Sequence, residues 1–167
     1  MQTFGKIALW ISIATWALWL GGLMYETAVI VPIWSASLPE SVLKWSTSSQ
    51  PVDPRDFFAP VAFGTVLFSA IAFALGWRTN RRSWLALSAV CAVVALGATF
   101  AYFVPRNNIL FSNQASGLSG EDIAAAGQGW IVGNWFRLGI MAAGFCAALH
   151  ALGLSYHGNL TVNENKT

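Results

Sequence analysis

Two ionisable side chains stand inside long apolar stretches: Glu26 within residues 4–32 and Arg137 within residues 130–154. Glu26 lies six residues before Pro32, and Arg137 lies seven residues after Trp130. At about 1.5 Å per helical residue, each is roughly 10 Å below the same end of an antiparallel pair of helices. A charge at that depth in hydrocarbon is costly unless it is paired or faces a watery cavity. The two types are complementary. A carboxylate can take up a proton as a general base, and a guanidinium can hold the oxyanion that forms. Two arrangements answer the cost: an ion pair that fixes helix register, or a shared polar cavity that binds or transforms a ligand.

Other polar groups converge on this level. Trp130, Asn134 and Arg137 follow the i, i+4, i+7 spacing that puts them on one helix face. Trp19, Gly22, Glu26 and Val29 share a face by the same spacing, with Gly22 leaving room beside the carboxylate. Tyr25 is about 100° round the helix from Glu26, within reach of the cavity edge or equally placed as an interfacial tyrosine. Pro105 is expected to stop the third apolar stretch, so that Arg106, Asn107 and Asn108 project at its mouth. One arginine and two amides there suit an oxygen-rich, planar or anionic ligand, or else a solvated helix cap. Glu26, Arg137 and Asn134 are the candidate catalytic residues. Tyr25, Arg106, Asn107, Asn108 and Trp130 are the candidate substrate-binding residues.

No cluster of histidine, cysteine or carboxylate has metal-ligand spacing, and no phosphate loop or nucleophile triad is present in the sequence. His150 is 13 residues from Arg137 and off its face, and His157 falls in the tail. A haem bound through His150 is the one cofactor weighed, and none is favoured. Cys91 and Cys146 both lie in apolar runs and read as small buried hydrophobes.

These residues need elements to hold them. The 167-residue chain is 56% hydrophobic and 10% charged, against about 25% charged for a soluble domain. That excludes a soluble enzyme, a disordered chain and a disulfide scaffold. A net charge of +2 with no basic aromatic stretch excludes nucleic acid as a partner. A span needs about 20 apolar helical residues, and four stretches qualify, at about 4–32, 57–77, 84–104 and 130–154. The expected fold is all-α: a single four-helix transmembrane bundle over residues 1–155, followed by a polar C-terminal tail at 156–167. The first stretch lacks a small-residue cleavage pattern and reads as a retained span. Asp56 is the expected N-cap of the second helix. Trp10, Trp34, Trp77, Trp84 and Trp130 are expected at the interfaces. Gly21, Gly22, Gly97, Gly139, Ala143 and Gly144 suit close helix packing.

Positive charge sets the orientation. Lys6, Arg78, Arg81, Arg82 and Lys166 fall on one side, and Lys44, Arg55 and Arg106 on the other. The richer side belongs in the cytoplasm. Both termini are therefore expected inside, in a bacterial plasma membrane. The loops at 35–55 and 106–128 then face outward, long enough to fold over the bundle mouth. The tail sequons at Asn159 and Asn165 carry no meaning in that orientation.

The segments GGLMYETAVIVPIW, VPRNNIL and WIVGNWFRLG occur in that order on the four spans. Together they resemble the anthrone-oxygenase-like family of small four-helix membrane proteins. The family's Pro-x-Asn segment after helix three falls on Pro105 and Asn107. Its Trp-x-x-x-Asn-x-x-Arg segment falls on Trp130, Asn134 and Arg137. The resemblance runs from about Gly21 to Leu152 and implies an oxygenase; the fungal branch is associated with oxidising anthrones to anthraquinones. The leading expectation is thus a membrane monooxygenase acting on a hydrophobic aromatic or quinone-like molecule in an outer-side polar cavity. The alternative is a non-catalytic membrane subunit or lipophile-binding module. A third class is a haem- or quinone-binding electron-transfer protein. Expected partners are membrane lipid and a hydrophobic small molecule, with a homo-oligomer left open.

Overall fold

The computed structural model describes residues 2–47, 54–111 and 117–164, with side chains over 4–47, 54–111 and 117–156. All regular structure among the described residues is helical. In chain order the elements are α1 (Gln2–Tyr25), a π turn (Glu26–Ile30), α2 (Val31–Ser35), α3 (Glu40–Thr47), α4 (Pro54–Gly76), α5 (Arg82–Ala98), a second π turn (Thr99–Phe103), α6 (Val104–Phe111) and α7 (Gly120–Glu164). Four helical stretches are long and apolar enough to cross a bilayer: Phe4–Ser35, Pro54–Gly76, Arg82–Phe111 and Gly120–Tyr156. α1 packs on α4 and α7, and α5 packs on the same two. The spans therefore form a ring in sequence order, which brings the first and fourth together.

Two of these spans run further than the sequence pattern implies. Pro105 does not stop the third span, which continues to Phe111. In an α-helix a proline ring clashes with the carbonyl four residues earlier and leaves a hydrogen bond unmade. Here a wider turn comes first. The Val104 N–H reaches back to the Thr99 carbonyl, and Pro105 follows. The first span repeats the device, with the Val31 N–H on the Glu26 carbonyl just before Pro32. Single π turns of this kind occur often at functional sites. The fourth span begins at Gly120, ten residues before Trp130. Its start is capped by Ser119, whose Oγ accepts the Asp122 N–H at 3.1 Å and donates to Asp122 Oδ2 at 2.6 Å. The second span starts at Pro54, so Asp56 lies inside the first turn rather than at the N-cap.

Two clusters fill the interior. The larger runs along the four spans and includes Leu9, Trp16, Ala92, Met141 and Ala148. Its polar members are satisfied between helices, as a dry interior requires. Ser12 and Ser69 share a hydrogen bond of 2.8 Å, and Trp16 Nε1 donates to Ser88 Oγ at 3.0 Å. The smaller cluster closes the end carrying α3. Val42 of α3 packs there with Trp34, Phe103, Leu110, Ile123 and Trp130. Trp34 and Trp130 are thus core residues, only 2% exposed. Of the five tryptophans expected at interfaces, Trp10, Trp77 and Trp84 remain on the surface. Large apolar side chains such as Phe136 and Trp135 lie on the outside of the bundle, where only an acyl-chain solvent makes them inexpensive. Cys91 is buried, but Cys146 is exposed on that outer surface. In the connection between the second and third spans, Arg81 is buried, and burial pushes its guanidinium pKa down.

Among the small residues, close approach is needed at only some positions. A β-carbon on Gly144 would lie 2.6 Å from the Trp16 ring and 2.8 Å from Cys91 Cβ, whereas one on Gly21, Gly97 or Gly139 would meet nothing within 4 Å. Gly144→Ala should therefore destabilise the bundle by about 1–3 kcal/mol through overpacking. Gly139→Ala should be neutral or gain up to about 1 kcal/mol from helix propensity. Thermal unfolding of both variants in detergent checks the contrast. Equal melting temperatures would mean that the α7 contact with α1 and α5 is not tight.

Candidate functional site

Each π turn contributes to one cavity, Glu26 from the first and Thr99 and Phe100 from the second. A π turn admits one residue more than an α turn, so the helix face slips by about 100°. On the first span this leaves neighbouring residues Glu26 and Thr27 both half-buried, and carries Val29 outward to 42% exposed. The face drawn through Trp19, Gly22, Glu26 and Val29 is broken at its last member. Gly22 does not open space beside the carboxylate either. Its missing β-carbon would meet Phe57 at 2.8 Å and Phe58 at 3.2 Å, so the second span occupies that room.

Glu26, Arg137, Trp130 and Asn107 line one cavity of about 210 Å³, together with Trp19, Phe58, Phe63 and Phe100. Arg137 enters it from α7 with its guanidinium 3.9 Å from the Phe103 ring centroid and 5.7 Å from that of Trp130. Stacking on aromatic faces suits a planar cation in a dry place. Its Nη2 donates to Asn134 Oδ1 at 2.7 Å. Asn134 Nδ2 donates to Thr27 Oγ1 at 2.7 Å, and Thr27 Oγ1 donates to the Leu23 carbonyl at 2.7 Å. The direction of this chain is forced. The carbonyl can only accept, so the threonine oxygen accepts from the amide nitrogen, and the amide oxygen must face Arg137. Trp130 Nε1 donates to Asn107 Oδ1 at 2.7 Å, joining the third and fourth spans.

Glu26 and Arg137 line one cavity. Arg137 and Glu26 interact through space, but among the described residues Glu26 makes no hydrogen bond or ion pair of its own. Arg137 Nε is buried and has no hydrogen-bond partner. A buried donor left unmade is expensive, and the residue that carries it lines the same cavity as Glu26. The arrangement can hold a ligand oxygen between guanidinium and carboxylate and pass it a proton or take one from it.

The remaining predicted residues stand apart from the cavity. Tyr25 is 61% exposed on the bundle surface and is not among the residues lining it. Arg106 lies 3.5 Å over the Tyr102 ring and donates to the Tyr102 carbonyl at 3.1 Å. Asn108 is exposed, also away from the cavity. His150 packs its ring 4.4 Å from that of Trp84. Thr27, Phe103 and Tyr102, which donates to the Gly129 carbonyl at 2.8 Å, carry no sequence signal of their own. Only the adjacency of Thr27 to Glu26 across a pre-proline turn could have marked it. The sequons and the centre of the loop at 35–55 lie outside the residues whose side chains are described.

Four apolar spans around a buried arginine and a half-buried carboxylate define a small integral membrane protein with a ligand-sized cavity. The chain belongs to the anthrone oxygenase family, whose model matches residues 52–147. The match takes in Asn107, Trp130, Asn134 and Arg137 and begins after Glu26. No curated protein and no solved structure matches the chain.

Proposed function

We propose that the protein is a membrane oxygenase acting on a hydrophobic aromatic or quinone-like substrate held between Glu26 and Arg137. The observation that carries this reading is a single cavity lined by both Arg137 and Glu26; family membership supports it. Glu26 removes a proton from an activated ring carbon. Arg137, with Asn134 holding its orientation, stabilises the oxygen that gains the negative charge. The carbanion donates its electron pair to dioxygen, forming a carbon–oxygen bond. Loss of water then breaks the oxygen–oxygen bond and the second carbon–hydrogen bond. For an anthrone the sum is one methylene and one dioxygen to one carbonyl and one water. The purified protein in lipid nanodiscs should therefore speed dioxygen uptake and quinone absorbance when given a dihydroxyanthrone. A rate equal to that of empty nanodiscs would overturn oxygenation of this substrate class.

A second reading rests on a specific fact: Glu26 lies outside residues 52–147, which the family model matches. In that reading the cavity binds a lipophile without turnover, and Glu26 serves binding alone. Saturable binding without dioxygen uptake would support it.

Orientation belongs to the same proposal. The Arg78, Arg81 and Arg82 turn supports a cytoplasmic second connection and cytoplasmic termini; in that orientation the cavity lies in the outer half of the membrane. Cysteines introduced at Asn80 and at Ser155 should react only with reagents that cross the membrane, in a background lacking Cys91 and Cys146. Labelling of either by an impermeant reagent in intact cells would reverse the orientation and make the tail sequons meaningful.

A further inference from the structure

We infer that the cavity is loaded sideways from the bilayer, through the gap between the second and third spans, by a lipophile with one oxygenated aromatic ring as its head. This deepens the reading above and rests on it for the polar end of the site. The cavity is continuous from the core to the outer surface. At its inner end stand Trp19 and Trp130, each 2% exposed; at its outer end stand Phe63 and Phe100, 54% and 56% exposed. These two rings sit 6.3 Å apart, one on α4 and one on the π turn of the third span, where the bundle faces acyl chains. Ala59, Ala62 and Leu96 line the stretch between, and Arg55, Thr99 and Asn107 also border the cavity.

Volume sets the ligand. A dry cavity of about 150 Å³ holds one benzene, so 210 Å³ holds little more than a single substituted ring. The rest of a larger molecule must lie in the gap between Phe63 and Phe100 and reach the hydrocarbon. The polar end suits an acidic oxygen: the Arg137 guanidinium group and the Glu26 carboxylate both line it. A phenolic ring with a hydrocarbon body meets both demands. Such a molecule is already concentrated in the membrane, so a lateral entrance shortens its path.

The test uses the full chain in phosphatidylcholine nanodiscs with para-dodecylphenol as probe, counting bound molecules by native mass spectrometry. Wild type should bind one molecule. Filling the gap with Phe63→Trp and Phe100→Trp together should weaken dodecylphenol binding about tenfold or more, while bare phenol still binds. Unchanged dodecylphenol binding in that variant overturns the lateral entrance. The Arg137→Gln variant separates the two readings. Loss of binding there, with the filled gap harmless, sinks the entrance and keeps the polar site. Loss on filling the gap, with Arg137→Gln harmless, keeps the entrance and sinks the polar site. Should the filled variant fail to fold, Phe63→Ala with Phe100→Ala serves instead. It should keep affinity and speed uptake, and an unchanged uptake rate overturns the proposal.

Discussion

Arg137→Gln alone should lower the melting temperature sharply, and Glu26→Gln combined with it should restore much of the loss. Removing one member of a buried charge pair typically costs about 3–5 kcal/mol because the other is stranded. Here the two charges line one cavity and interact through space, so Arg137→Gln takes that opposite charge away from Glu26. The double variant strands nothing and changes volume little. A double-mutant cycle in detergent, with stability and dodecylphenol binding read on the same samples, separates the roles. If the charges serve a ligand, stability returns while binding and turnover stay lost. If they only fix the fold, both return together. A coupling energy near zero would mean that the two side chains do not sense each other, and the shared site would have to be given up.

Asn134→Leu should be nearly as damaging although it removes no charge. Asn134 is 1% exposed and carries the hydrogen-bonded link, among the described residues, from Arg137 to Thr27 of the first span. Leucine fills a similar volume but leaves a guanidinium N–H unmade, and stranding a buried charged donor costs about 1–3 kcal/mol or more. Thr27→Val should cost less by itself, because Asn134 can still hold Arg137. In the Asn134→Leu background, Thr27→Val should add almost nothing, since the bond it would remove is already gone. Melting temperatures of the four proteins check this. Full additivity of the two substitutions would show that the Arg137–Asn134–Thr27 chain is not a unit in solution.

Much of the design is readable along the chain. A run of apolar residues as long as a bilayer is thick has few alternatives to a spanning helix, so the four spans needed no tertiary information. The spacing of Trp130, Asn134 and Arg137 within one regular helix likewise carried over, because nothing interrupts α7 between them. One cavity does hold both Glu26 and Arg137, although the span carrying Arg137 begins ten residues before the Trp130 from which its depth is counted.

What the sequence could not decide lies where helices cease to be regular or meet each other. Pro105 is a stop signal in local terms, and only the π turn before it lets the third span run on to Phe111. The same device at Glu26–Ile30 shifts the helix face, so Thr27 turns in toward Asn134 and Val29 turns out. Trp34 and Trp130 look interfacial by position, yet α3 and the ends of three spans close over them. Gly22 looks like room for a ligand until Phe57 and Phe58 arrive from the next helix. Composition and period determine that a segment is a membrane helix, because the bilayer imposes that locally. Which residues share a cavity depends on phase slips and on what the neighbouring helix supplies, and both are properties of the packed bundle.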